Sequence, residues 1–484
     1  MLTLEFSGSR PNCEGLARRD FMRCGGLGFA GLTLPWLLAN REAVAAEAEV
    51  SRDKAVVLIF LGGGASHIET FNPNMQAPAP YCSLTGEVQT ALPGVTFGGT
   101  FPGLAQRAER LAVVRSFRHP IADHDKAISH VLTGGTDTTG AAQSGFSLGA
   151  CASRIRGSSH PTTGMPAYAL VAAPEIDPQY RRELDRVLRG SRPGSLGPAC
   201  APFFVDAGTA GDSPEKAGAA PKSRTPSLAD DMRLTISRER LDDRRELLRN
   251  LDGMRRQFDE SQRFSGIDKY TQQAFELILG SAAQAFDLSR ESPQTRERYD
   301  TSRFSEGKKT FRPSSIGRQL LIARRMLEAG CSFITVQSAG WDMHADGNNP
   351  GVLSGMEMLG RPFDQALSAF LDDLDDRGLA DKVLVVVTGD FGRTPNVNKN
   401  GGRDHWANLC TLAFAGGGLR MGQVIGRAGP RNDVPASEPY GTQHLTATIL
   451  HTLFDISALR VVRGLPRDIL KLVENAEPIG ELFG

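Results

Sequence analysis

The sequence has no surplus of either charge: 55 Lys and Arg stand against 55 Asp and Glu, and the isoelectric point is near 7.1. A protein that grips nucleic acid through its phosphates needs a cationic excess, and an acidic solvating tail needs the reverse, so no nucleic-acid partner is expected. There is no CxxC pair among the 7 Cys, which excludes a zinc ribbon or an ordered disulfide framework. No glycine loop closes with Gly-Lys-Ser/Thr, which excludes a P-loop. Aromatic residues make up only 7%, and histidine is scarce at 9 residues, so where the histidines fall is informative. Glycine, by contrast, reaches 53 of 484 residues, where ~7% usage would give about 34. Turns and close backbone approaches are therefore expected. With 40% hydrophobic and 23% charged residues, the chain has the makings of a sizeable core and is neither disordered nor collagenous.

Residues 1–45 stand apart from the rest. Arg18-Arg19-Asp20-Phe21-Met22 opens a glycine-rich apolar stretch that is interrupted by Pro35 and followed by Ala43-Val44-Ala45, a small-x-small site. This is similar to a twin-arginine export signal, which implies passage of an already folded protein to the periplasm or beyond. The stretch is too weak for a stable span of ~20 apolar residues. An amphipathic N-terminal helix or an uncleaved anchor is the alternative. Cys24 follows Met22-Arg23 rather than small residues, against a lipoprotein. Cleavage would leave Cys82, Cys151, Cys200, Cys331 and Cys410, an odd number, with Cys331 and Cys410 in apolar, core-like runs.

Residues 46–484 read as one α/β domain. Apolar runs at 54–61, 111–114, 167–171, 331–336, 383–387 and 410–414 have the continuity of strands buried on both faces. Helical periodicity at 316–329, 356–374 and 445–454 lies between or after them. Strand alternating with helix predicts three layers, a mostly parallel sheet with helices on both faces, whose chemistry collects where strands end. Residues 208–226 are rich in Gly, Ala, Ser and Pro and predict a linker. Residues 227–290 are heavily charged with one apolar face, predicting a helical insertion that is either a solvated hairpin or a lid.

Four polar clusters follow expected strands. Gly62-Gly63-Gly64-Ala65-Ser66-His67-Ile68-Glu69 suits close approach to a ligand, or simply a tight turn. His119 to Asp125 adds His124 and precedes Ser129 and His130. Asp342 and His344 sit on a loop where carboxylate and imidazole can converge on a divalent ion, or where an Asx-turn leaves the histidine in solvent. Val387-Thr388-Gly389-Asp390 delivers a carboxylate at a strand end, and Arg393 follows with a guanidinium suited to phosphate, sulfate or carboxylate. Asp404-His405 comes fifteen residues after Asp390. One metal-capable site along one edge of the sheet accounts for all four.

In order and over nearly the whole length, GGGASHIETFNP, VVRSFRHPIADHD, SAGWDMHAD, TGDFGRTPNVNKNGGRDHW and YGTQHLTATILHTLFDI resemble the bacterial family called domain of unknown function 1501, whose members are often labelled sulfatase-like. That label implies an alkaline phosphatase-like fold. Carried over residue by residue, the resemblance implies metal ligands at Glu69 (less well Asn72), Asp342, His344, Asp390 and His405, and His124 of the second cluster is expected to join them. Ser66, His67 and Arg393 are the expected catalytic groups, and a divalent ion (Zn, Ca, Mg or Mn) is the expected cofactor. Phe391 stands where the superfamily has histidine, and Cys200-Ala201-Pro202-Phe203-Phe204 lacks the context for formylglycine. Ser66, Ser129 and Thr136 are the available nucleophiles. The expected function is metal-dependent hydrolysis of a phosphate or sulfate ester, small-molecule or glycan. The alternatives are a non-catalytic exported binding protein on the same scaffold and, third, a mutase-like transferase, which fits export poorly. Protein partners are not indicated.

Overall fold

The computed structural model describes residues 50–137, 145–173, 177–208, 281–474 and 477–484. The expected signal segment, nearly all of the linker and most of the insertion lie outside these residues. The central sheet contains β1 (Ala55–Leu61), β2 (Leu111–Val114), β3 (Tyr168–Ala172), β4 (Phe203–Asp206), β5 (Phe333–Ser338), β6 (Val383–Gly389), β7 (Leu412–Gly416) and β8 (Gln423–Ile425). Their spatial order is β8-β2-β7-β6-β1-β5-β3-β4. All neighbours pair in parallel except β7, which runs against β6 and β2. The six expected strands are present to within two residues. The edge strands β4 and β8 escaped the sequence because they are short and half-exposed, with apolar runs of only three and two residues.

Alternation along β1 explains the three layers. Val57, Ile59 and Leu61 point into one core, and Val56, Leu58 and Phe60 into the other. The first face is covered by α4 (Ile316–Glu328) and α5 (Arg361–Asp376), and the second by α1 (His124–Leu132), α2 (Leu148–Arg156), α6 (Thr442–Leu453) and α7 (Arg467–Glu474). Helix α3 (Pro178–Gly190) lies against α1, where a side chain at Gly190 would meet Leu132 at 3.0 Å. The fold class expected from periodicity is thus the one observed. Of the expected insertion, residues 281–290 form two short 3-10 turns, and Ala282, Ala285, Phe286 and Leu288 join the first core. Among the described residues no helix is long and apolar enough to cross a membrane.

Register places the chemistry. Leu61 is opposite Gly389 on one side and Ser338 on the other, so β1, β5 and β6 end level in the middle of the sheet. The loops that carry Gly62 to Glu69, Ala339 to His344, and Asp390 to Arg393 therefore leave the sheet side by side.

Candidate functional site

The turn after β1 needs glycine. Gly63 and Gly64 have φ of +97° and +84°, and a side chain at Gly63 would meet the Asp342 amide nitrogen at 2.6 Å. The Gly63 N–H donates to Asp390 Oδ1 at 3.0 Å. On the other oxygen, Asp390 Oδ2 lies 2.5 Å from His124 Nδ1 at the start of α1. A carboxylate can only accept, so His124 carries its proton on Nδ1 and presents Nε2 elsewhere.

The same device holds two more imidazoles. His344 Nδ1 is 2.9 Å from Asp404 Oδ1, and His405 Nδ1 is 3.1 Å from the Ala122 carbonyl oxygen. Each contact leaves the Nε2 of its ring turned inward. These nitrogens converge on Asp342: His344 Nε2 and His405 Nε2 lie 2.9 and 3.4 Å from Oδ1, and His124 Nε2 lies 3.5 Å from Oδ2. His124 Nε2 is buried and has only this long contact to Asp342 among the described residues. His124, Asp342 and His405 offer ligand atoms that all lie within 4.8 Å of one another, so they could hold a metal ion. His124 Nε2 and His405 Nε2 lie 3.5 and 3.4 Å from different oxygens of Asp342, near the ~3.3 Å that separates two ligands of a tetrahedral ion bound at ~2.0–2.1 Å. Two imidazoles and one carboxylate are donors that a divalent ion can take. Phe391 roofs the cluster, its ring 4.7 Å from that of His124 and 4.6 Å from that of His405.

Electrostatics follow from the crowding. Burial opposes ionisation of Asp342, but the Arg393 charge and hydrogen bonds from the three histidines hold its carboxyl well below the usual range. For His124, burial works against protonation, yet bonds to Asp342 and Asp390 push it up to about 10. The Asp342 bond raises His344, whereas burial lowers His405. Behind the loop, Glu183 on α3 accepts the Gly340 N–H at 2.8 Å. Burial, together with the charges of Asp342 and Asp390, pushes Glu183 well above the ordinary carboxyl range.

Six of the nine expected residues come together: His124, Asp342, His344, Asp390, His405 and Arg393. Two of these take other roles than expected. Both oxygens of fully buried Asp390 are engaged, one by the Gly63 N–H and the other by His124 Nδ1, which it orients. Arg393 is also fully buried. Its Nε donates to Gly64 O, Nη2 to Gly63 O and Asp342 Oδ1, and Nη1 to Arg403 O with His344 Nε2 beside it. It clamps the loop and has no donor left for a substrate anion.

The other three lie elsewhere. Glu69 is fully buried and paired with Arg403, while Ser83, Leu84 and Thr85 also donate to it. It is a staple between loops, because a buried guanidinium takes up its charge. Ser66 Oγ accepts the Glu69 N–H, and His67 Nε2 contacts the Asn432 carbonyl, burial lowering that imidazole to about 4. Ser66 and His67 are thereby occupied in shaping the turn. Asn72 bonds Asn432, and the hydroxyls of Ser129 and Thr136 bond Asp137 and the Thr133 carbonyl. Glu183 was missed because a lone Glu in a strongly amphipathic helix reads as part of its solvated face.

Solved structures of similar shape include the lipoteichoic acid synthase LtaP from Listeria monocytogenes, at 10% identity, covering 85% of this chain and 77% of that one, with a TM-score of 0.34. A sulfatase from Pseudoalteromonas sp. aligns at 11% identity over 81% of this chain and 69% of its own, with a TM-score of 0.33. The alkaline phosphatase from the Antarctic bacterium TAB5 aligns at 12% identity over 88% of this chain and 100% of its own, with a TM-score of 0.33. No protein of curated function matches the chain in sequence. Residues 53–483 match the family model described as protein of unknown function (DUF1501), and the chain belongs to that family.

Proposed function

We propose that this protein is an exported, metal-dependent hydrolase of phosphate or sulfate esters. The observation that carries the reading is the convergence of three imidazole Nε2 atoms on Asp342, each ring fixed by an oxygen at Nδ1. Such oxygen partners fix the tautomer and strengthen the ligand, an expensive arrangement to maintain for packing alone. His124, Asp342 and His405 would hold the ion, and imidazole donors favour zinc over calcium or magnesium. When bound, such an ion supplies positive charge that polarises an ester oxygen and acidifies water. Arg393 neutralises one oxygen of Asp342 and locks the loop, so the other oxygen is kept in place. His344 is partly exposed and oriented by Asp404, and its bond to Asp342 raises its affinity for a proton, which would suit it to protonate a departing ester oxygen.

Elemental analysis of the purified chain, with aryl phosphate, phosphodiester and sulfate assays on the same preparation, tests this. About one equivalent of metal is expected, with turnover reduced by two or more orders of magnitude in His124→Ala and His405→Ala. Absence of metal, together with ester cleavage unaffected by both substitutions, would sink it. One observation favours non-catalytic binding on the same scaffold: the hydroxyls of Ser66, Ser129 and Thr136 are all bonded elsewhere. Turnover on any ester of the panel that both substitutions abolish removes that second reading. Export is tested by fusing residues 1–45 to a folded reporter, which should reach the periplasm and be stranded when Arg18 and Arg19 become Lys.

A further inference from the structure

A cleft of about 370 Å³, within the ~300–1,000 Å³ of small-molecule sites, adjoins the histidine cluster through Asp404. Asp404, which holds His344, lines it, and so does Trp406, the neighbour of His405. Half-buried Tyr81 and Trp406 supply aromatic surface, and Trp406 is fixed by its Nε1–H bond to the Asp433 carbonyl at 2.6 Å. Asp404 has both its protein bonds on Oδ1, so Oδ2 takes none among the described residues. Arg431 is exposed, its guanidinium 5.5 Å from the Tyr81 ring centroid, and it pairs with no carboxylate among the described residues. With the donors of Arg393 committed, Arg431 is the guanidinium in this cleft that can take an anion.

Aromatic faces set against carboxylate and amide edges suit a ligand that is apolar on its C–H faces and hydroxyl-rich at its rim. An unpaired guanidinium adds a demand for negative charge. We infer that the cleft is the recognition site for an acidic saccharide. Its ring lies along Trp406, its hydroxyls meet Asp404 and Asn396, and an anionic substituent is held by Arg431, which lies over the Tyr81 ring. This rests on the hydrolase reading only in making that saccharide the bearer of the ester presented to His344.

Binding of the full chain to an array of neutral, carboxylated, sulfated and phosphorylated oligosaccharides tests it, followed by calorimetric titration of the best acidic binder, its neutral parent and inorganic sulfate. Binding should be confined to acidic members and fall at least tenfold in Arg431→Ala and in Tyr81→Ala, with Arg431→Lys recovering part of it. Circular dichroism identifies any variant that has lost its fold. Retention of no acidic saccharide, or binding indifferent to both folded variants, overturns the inference. The two readings fail separately. Saccharide binding lost in Arg431→Ala without any ester turnover leaves this inference standing and removes the hydrolase, whereas aryl ester turnover with no saccharide binding does the reverse.

Discussion

Removing the Glu69 carboxylate separates a metal ligand from a structural staple. Glu69 and Arg403 are both fully buried and 334 residues apart in sequence, with Arg403 Nε and Nη2 at 3.1 and 3.0 Å from Oε1. The Ser83 hydroxyl at 2.6 Å and the Leu84 and Thr85 amides at 3.1 and 3.2 Å complete the cage. Glu69→Ala strands a buried guanidinium and those donors, a loss of the kind that costs about 3–5 kcal/mol. For a body of roughly 430 residues, an unfolding entropy of about 2.1 cal/mol/K per residue converts this to a fall of about 3–6 °C in unfolding temperature. Calorimetry at a fixed scan rate measures the shift, and elemental analysis below the transition measures the metal. The expected result is a lower transition with metal content intact, and Glu69→Gln should fall between. An unchanged transition with lost metal would refute the reasoning and return Glu69 to the ligand set.

Asp390→Asn keeps the shape of the side chain but replaces an acceptor of the His124 Nδ1 proton with a donor in one of its two orientations. Metal affinity should fall about 10–100-fold, measured by chelator competition, with little change in secondary structure. Gly63→Ala puts a methyl 2.6 Å from the Asp342 amide at a φ of +97°, which should cost at least about 1–2 kcal/mol and loosen the cluster. Unchanged stability and metal affinity would mean that the turn is not pinned. Burial lowers both His67 and His119 to about 4 from an ordinary 6.5. A depressed pKa favours the neutral native form, so this stability is fully present above pH 6.5 and lost as pH falls towards 4. Urea titrations across that window should show the loss, and His67→Gln should reduce its slope by about one proton; an unaltered slope would contradict the assignment. His124, with its pKa raised to about 10 against burial by the bonds to Asp342 and Asp390, carries an extra proton in the metal-free protein at neutral pH. Zinc uptake should then release about one proton, seen as a dependence of titration heat on buffer ionisation enthalpy.

The local pattern of the sequence determined the layers and the edge at which the chemistry lies. Continuous apolar runs can only be satisfied by burial on both faces, so β1, β5 and β6 and their polar sequels were legible, as were Asp342, His344, Asp390 and His405 as a group. Short edge strands with apolar runs of only two or three residues were not. What the tertiary structure decided is the atom-by-atom role of each member. Whether a carboxylate binds a metal, orients a histidine or neutralises an arginine depends on which group meets it across hundreds of residues. Glu69 meets Arg403, Asp390 meets Gly63 and His124, and Arg393 meets the carbonyls of Gly63 and Gly64. Those partners follow from strand register and loop closure, for which periodicity carries no signal. The scarce histidines marked the site from the outset, but only the fold determined which nitrogen of each ring faces Asp342.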